Sequence, residues 1–168
     1  MKRLFIKSAL VSGLFLVVAL DACSAGSSPT PISSSAQVVK VTASPVSVAP
    51  NGSADAVVIL GVSSGFHINA NPATFSYLIA TKIEPGVVSG IKADKPVYPA
   101  GTKKTFQFAD QALAVYEGEV SIKLPLRVTG DVKEGQLSLP VQITVQACDE
   151  EKCYPPATLN STISVTVK

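Results

Sequence analysis

Between Glu119 and Val128 the chain alternates with a period of two: Val120, Ile122, Leu124, Leu126 and Val128 share one parity, and Glu119, Ser121, Lys123 and Arg127 the other. Successive side chains of an extended chain point to opposite faces, so this stretch reads as a half-buried strand and not as an amphipathic helix. The pattern returns over 139–147 through Leu139, Val141, Ile143 and Val145, and again through Ile163, Val165 and Val167. Residues 55–62 are apolar on both parities, as suits an interior strand, and 38–43, 77–83 and 105–108 are shorter candidates. Helical periodicity is nowhere sustained.

Turn formers punctuate these runs at Pro45, Pro50-Asn51-Gly52, Pro85-Gly86, Pro99-Ala100-Gly101, Thr129-Gly130-Asp131 and Glu134-Gly135. Seven or eight short strands with such breaks imply an all-β fold, an immunoglobulin-like antiparallel β-sandwich, with a closed barrel as the competing architecture. There is no tryptophan and the cysteines lie late and close together, which rules out the inter-sheet Cys-Trp-Cys arrangement of antibody domains. Residues 37–168 suffice for one domain with a real core, but not for two of typical size.

The amino terminus has a different character. Lys2, Arg3 and Lys7 precede an apolar stretch over 8–20, thirteen residues where a bilayer span needs about 20. This reads as an export signal over 1–22. Leu20-Asp21-Ala22-Cys23 resembles a bacterial lipoprotein signal, which implies cleavage before Cys23 and lipid on that cysteine. An ordinary signal peptide cut nearby is the alternative, leaving an unpaired thiol in an oxidising compartment. After Cys23 comes a stretch to residue 36 dominated by Ser, Ala, Gly and Pro, expected to be a flexible tether reaching about 20 Å. On the lipoprotein reading Ser24 lacks the aspartate associated with inner-membrane retention, which favours the outer membrane of a Gram-negative cell.

Loss of residues 1–22 removes Lys2, Arg3 and Lys7 from fourteen Lys and Arg, and Asp21 from twelve Asp and Glu, leaving eleven of each. The mature chain is formally neutral, so no basic surface remains to attract nucleic acid or anionic headgroups. Nor is there a phosphate-binding glycine loop, a nucleophile elbow or a paired-carboxylate motif.

The remaining chemistry lies in Cys148-Asp149-Glu150-Glu151-Lys152-Cys153-Tyr154-Pro155-Pro156. Continuing the parity of 141–147 places Cys148 with Gln142, Thr144 and Gln146, on the face turned away from the core and expected to be exposed. Across an acidic turn, the two thiols can meet at the open end of a hairpin. A bridge there is either a structural staple, worth about 2 kcal/mol for a loop of about six residues, or a redox centre open to an attacking thiolate. Lys152 favours a thiolate at Cys153, while Asp149, Glu150 and Glu151 oppose it. His67, the only histidine, is expected to be a hydrogen-bonded structural residue at a strand end sooner than a base or ligand. Two sulfurs and one distant histidine fall short of a zinc site.

Gly65-Phe66-His67-Ile68-Asn69 with Pro72, then Tyr98-Pro99-Ala100-Gly101, Tyr116-Glu117-Gly118 with Pro125, and Gln146-Ala147-Cys148 through Pro156 occur in this order. Together they resemble the amino-terminal periplasmic domain of the thiol:disulfide interchange protein DsbD, over about residues 37–168. The resemblance implies an immunoglobulin-like fold in which a cysteine pair, with no other cofactor, passes electrons to oxidised periplasmic proteins. Cys153 would form the mixed disulfide and Cys148 would resolve it. The segment 110–118 would match the family's cap loop, with Val115 and Tyr116 shielding the disulfide. The chain ends at Lys168 without the polytopic and thioredoxin-like parts of DsbD, so the implied donor is a separate thioredoxin-like protein or a DsbD- or CcdA-type membrane carrier. The rival reading is a non-enzymatic sandwich lipoprotein whose disulfide is structural and which binds or scaffolds an envelope partner.

Overall fold

The computed structural model describes residues 31–168, whose regular structure is β-strand apart from one 3-10 turn, with no α-helix among them. The expected signal segment over 1–22, Cys23 and most of the expected tether lie outside the described residues.

Twelve strands make three four-stranded sheets, more than the seven or eight in two sheets that the pattern suggests. The first sheet has the order β1 (Val39–Ala43), β3 (Ser53–Val62), β9 (Glu119–Val128), β6 (Ile91–Ala93). The second has β2 (Val46–Val48), β12 (Ala157–Val167), β10 (Gly135–Val145), β5 (Lys82–Pro85), and the third β11 (Ala147–Cys148), β4 (His67–Asn69), β8 (Leu113–Tyr116), β7 (Thr102–Lys104). The first strand is shared between sheets: β1 pairs with β3, and after Pro45, which has no N–H for a ladder, β2 runs parallel to β12. Open sheet edges exclude the closed barrel, and the immunoglobulin-like sandwich stands.

The alternating residues do what their parity demands. Val120, Ile122, Leu124 and Leu126 of β9 merge with Val58 and Leu60 of β3, Leu139, Val141 and Ile143 of β10, and Ile163 and Val165 of β12 in one buried cluster. Each such side chain contributes about 1.5–3 kcal/mol when fully buried. Pro125 and Pro140 lie inside β9 and β10, yet neither interrupts the β3–β9 or β10–β12 ladder. Their carbonyls accept from Asp94 N and Gly86 N, so their nitrogens face the same way, towards points where the edge strands β6 and β5 have just ended.

Two expected strands move. The first candidate, 77–83, forms its ladder only from Lys82, and 105–108 gives way to β7 upstream and a turn. Thr105-Phe106-Gln107-Phe108 has strand-like composition, but Phe106 is taken into a small separate cluster with Leu113 and Val115, flanked by Phe75, Leu78 and Ala109. The tether also ends sooner than expected. Ser34 and Gln37 form a capping box around a 3-10 turn, Ser35–Gln37, and Ser35 is fully buried.

Candidate redox-active site

The cysteines sit where β10 and β12 run out. The β10–β12 ladder closes at Val145 and Ala157, and the residues between them form the tip of the hairpin. Ala147 O accepts from Tyr154 N at 2.8 Å, and Asp149 N donates to Lys152 O at 2.9 Å, bringing Cys148 opposite Cys153. Their sulfurs are bonded, with Cα atoms 3.9 Å apart. The Asp149 carboxylate accepts from the amides of Glu151 and Lys152, each at 2.8 Å, and from the Tyr154 hydroxyl at 2.5 Å. The Tyr154 bond above all holds the carboxyl below its usual range, against burial, with the amides of Glu151 and Lys152 adding to the lowering. Asp149 is therefore a turn brace. Lys152 Nζ lies 5.5 Å from the centre of the Tyr154 ring.

The two sulfur-bearing residues differ in access. Cys148 is 0% exposed, which corrects the expectation that its face is open, while Cys153 is half-buried. The parity was sound, since Ala147 joins the main core and Cys148 does not. What the pattern could not show is a cover on the other face. The third sheet has Ile68, Ala147 and Tyr116 in the main core on one side. On its other side Val115 and Leu113 pack with Phe106, and His67 lies 1% exposed with its ring stacked on Phe106, centroids 4.0 Å apart. Phe106 stacks in turn on Phe108 at 5.3 Å.

A groove of about 300 Å3 opens beside Cys153, lined by Tyr77, Leu78, Phe108, Ala109, Leu113 and Lys152 among others. Tyr77 is 72% and Phe108 37% exposed. Neither aromatic was singled out from the sequence; the run Phe106-Gln107-Phe108 was the available signal, read as a strand. Val115 and Tyr116, expected as cap side chains, are residues of strand β8. Val115 is fully buried, and the Tyr116 hydroxyl donates to Pro99 O at 2.8 Å and accepts from Asn71 N at 3.2 Å. Phe108 and Ala109, upstream of that strand, line the groove.

Polar side chains fasten this end of the molecule. Asn69 Nδ2 donates to Ile79 O and to Gln146 Oε1, each at 3.1 Å, and Gln146 Oε1 also accepts from Ile79 N. The loop over 77–81 is thus held by amides in place of a ladder. Gly101 lets the Tyr98-Pro99-Ala100-Gly101 turn lie against the third sheet, because a Cβ there would stand 2.5 Å from that of Ala70 and 3.2 Å from that of Ala114. Ser35 Oγ donates to Pro155 O and accepts from Ala147 N, both at 2.8 Å. The sequence signal for Ser35 was the capping box around it.

His67 is placed at a strand as expected, but its Nε2 has no hydrogen-bond partner among the described residues. Burial pulls its pKa below the ordinary 6.5; Glu117, Glu150 and Asp149 act against this, and Lys104 adds to it. The unfolded chain then binds a proton where the folded one does not. His67 burial is fully tolerated above about pH 6.5 and penalised as pH falls towards the lowered folded value, so stability drops on acidification. The urea midpoint is expected to fall between pH 7.5 and 5.5, and His67→Phe to flatten that dependence; an unchanged slope in the variant would refute the assignment.

An immunoglobulin-like sandwich carrying a two-cysteine bridge at one hairpin tip, one sulfur hidden and the other beside an aromatic groove, defines a class of disulfide-bearing β-domain. The family model of the thiol:disulfide interchange protein DsbD, N-terminal, matches residues 37–164, and the chain belongs to that family. Among solved structures it is similar to the DsbD n-terminal domain of Neisseria meningitidis in the reduced form, at 20% identity and a TM-score of 0.46, covering 66% of this chain and 77% of that one. The N-terminal periplasmic domain of ScsB from Proteus mirabilis gives 16% identity and 0.45, covering 76% of this chain but only 45% of that one. A type I cohesin of ScaB from Pseudobacteroides cellulosolvens gives 8% and 0.48, covering 78% and 92%. No curated protein matches the chain significantly.

Proposed function

We propose that this domain is a thiol–disulfide exchange module of the bacterial envelope, relaying electrons from a thioredoxin-like donor to oxidised periplasmic partners through Cys148 and Cys153. The observation that carries the reading is the unequal access of the two cysteines, which supports Cys153, half-buried beside the groove, as the sulfur a partner reaches. A donor thiolate attacks Cys153 Sγ, the bridge breaks, and Cys148 leaves with the electron pair and takes up a proton. The donor's second thiol then attacks its own sulfur in the mixed disulfide, releasing Cys153 and leaving the donor oxidised. In the second half, the Cys153 thiolate attacks an acceptor disulfide, and Cys148 resolves the product, releasing a reduced acceptor. Phe108 and Tyr77 are the side chains against which a partner would seat, and the Phe106–Ala109 segment the cover that keeps Cys153 from indiscriminate thiols.

Family membership supports an envelope location, and Leu20-Asp21-Ala22-Cys23 supports lipid on Cys23 as the anchor, with the outer membrane as its place in a Gram-negative cell. Cys148→Ala is expected to trap partner proteins as mixed disulfides through Cys153 in envelope extracts, and Cys153→Ala to trap none. If the Cys148→Ala chain is found only unlinked, exchange is refuted. The rival is a structural staple in a scaffolding lipoprotein, the usual role of a disulfide in an exported protein. In that case the variant with both cysteines replaced by alanine keeps full function and loses only stability.

A further inference from the structure

We propose that His67 is the proton acceptor for Cys148, the group that turns the hidden thiol into an attacking thiolate when the bridge re-forms. This rests on the exchange reading above and adds to it a residue outside the cysteine pair.

Three observations converge. In the antiparallel pairing of β11 with β4, Cys148 stands directly opposite His67. Side chains so paired share one face, with Cβ atoms about 4.5–5.5 Å apart. That face is closed to solvent, since both residues are buried and the Phe106 ring lies flat on the imidazole. And His67 Nε2 is a buried polar atom without a partner, which native proteins rarely leave unexplained. The oxidised state supplies the explanation: a bridged sulfur carries no proton, so the side chain paired with His67 across the ladder becomes a donor only after reduction.

The surroundings leave the role to His67. Glu117 is paired with Lys104 at 2.7 Å on the surface, and Asp149 is occupied by Tyr154 and two amides. Glu150 is exposed. A neutral imidazole offers one lone pair and one N–H, and burial keeps His67 in that form at neutral pH. A thiol in an apolar enclosure has its pKa raised above the ordinary 8.5 or so, and would otherwise hold its proton. In the step itself, the Cys148 S–H proton passes to the His67 lone pair. The Cys148 thiolate attacks Cys153 Sγ in the mixed disulfide, the Cys148–Cys153 bond forms, and the partner sulfur leaves with the electron pair of the broken bond. The imidazolium then returns its proton through solvent to the departing thiolate.

The test uses the reduced chain and one equivalent of dithiobis(nitrobenzoate). Cys153 releases the first thionitrobenzoate on forming the mixed disulfide, and Cys148 releases the second in a first-order resolving step. In His67→Phe, which keeps a ring on Phe106, the second release is expected to slow about 10-fold or more at pH 7 and its pH profile to move up by about one unit, with the first release unchanged. His67→Gln, of similar size and neutral, is expected to behave the same and covers a failure of the phenylalanine variant to fold. A second release with wild-type rate and pH profile in either folded variant overturns the proposal. Its failure is distinct from that of the exchange reading, which is decided by partner trapping in the envelope and not by this reagent.

Discussion

Phe106→Ala is expected to cost about 3 kcal/mol, at the lower end for truncating a buried phenylalanine because the cluster around it is small. The ring is 3% exposed, packs with Leu113 and Val115, and forms a plate stacked on both His67 and Phe108, whose own centroids lie 6.4 Å apart. Domains of this size hold only about 5–15 kcal/mol in total, so the loss would show as a clear fall in the urea midpoint. A second effect separates this residue from any other core truncation. With the plate gone, the face carrying Cys148 opens, and dithiothreitol is expected to reduce the folded variant's bridge several-fold faster than the wild type's. A comparable cut in the main core, Ile143→Ala, should cost as much stability without changing that rate. Equal reduction rates in wild type and Phe106→Ala would show that the aromatic stack does not guard the sulfurs.

The same arrangement explains which parts of the fold were legible in the sequence. β9, β10 and β12 each bury one face and wet the other, so their alternation is written directly in the residues, and β9 has the bounds the pattern gives. The strands β4 and β8 are buried on nearly every residue, because the third sheet has the main core on one side and the Phe106 cluster on the other. A strand covered on both faces has no period of two, and three or four residues are too few to stand out by composition. The misjudged exposure of Cys148 has that same origin. Its cover comes from residues about forty and eighty positions away, a long-range contact that no local pattern encodes. The cysteine pair itself was legible from spacing and from the ordered motifs. Those motifs meet in space: Asn69, Gly101 and Tyr116 all fasten the third sheet or the loops against it. Ser35 was hidden for the opposite reason, since it lies in a stretch whose Ser, Ala and Gly content argues for disorder.

That serine makes the second large effect. Ser35 is 0% exposed, and its hydroxyl joins the two sides of the cysteine hairpin, accepting from Ala147 N just before Cys148 and donating to Pro155 O just after Tyr154. The Ser35 amide reaches the same carbonyl at 3.1 Å. Ser35→Ala would leave the buried Ala147 N–H without an acceptor, a penalty of about 1–3 kcal/mol, whereas Pro155 O would keep one donor. Ser34→Ala removes only the cap of an exposed turn and is expected to cost less. Hydrogen exchange at the Ala147 amide is the local readout: it should quicken strongly in Ser35→Ala and little in Ser34→Ala. If both variants match the wild type in urea and in exchange, the serine is not a clasp. If the clasp holds, the chain entering from the amino terminus is fixed to the base of the disulfide hairpin.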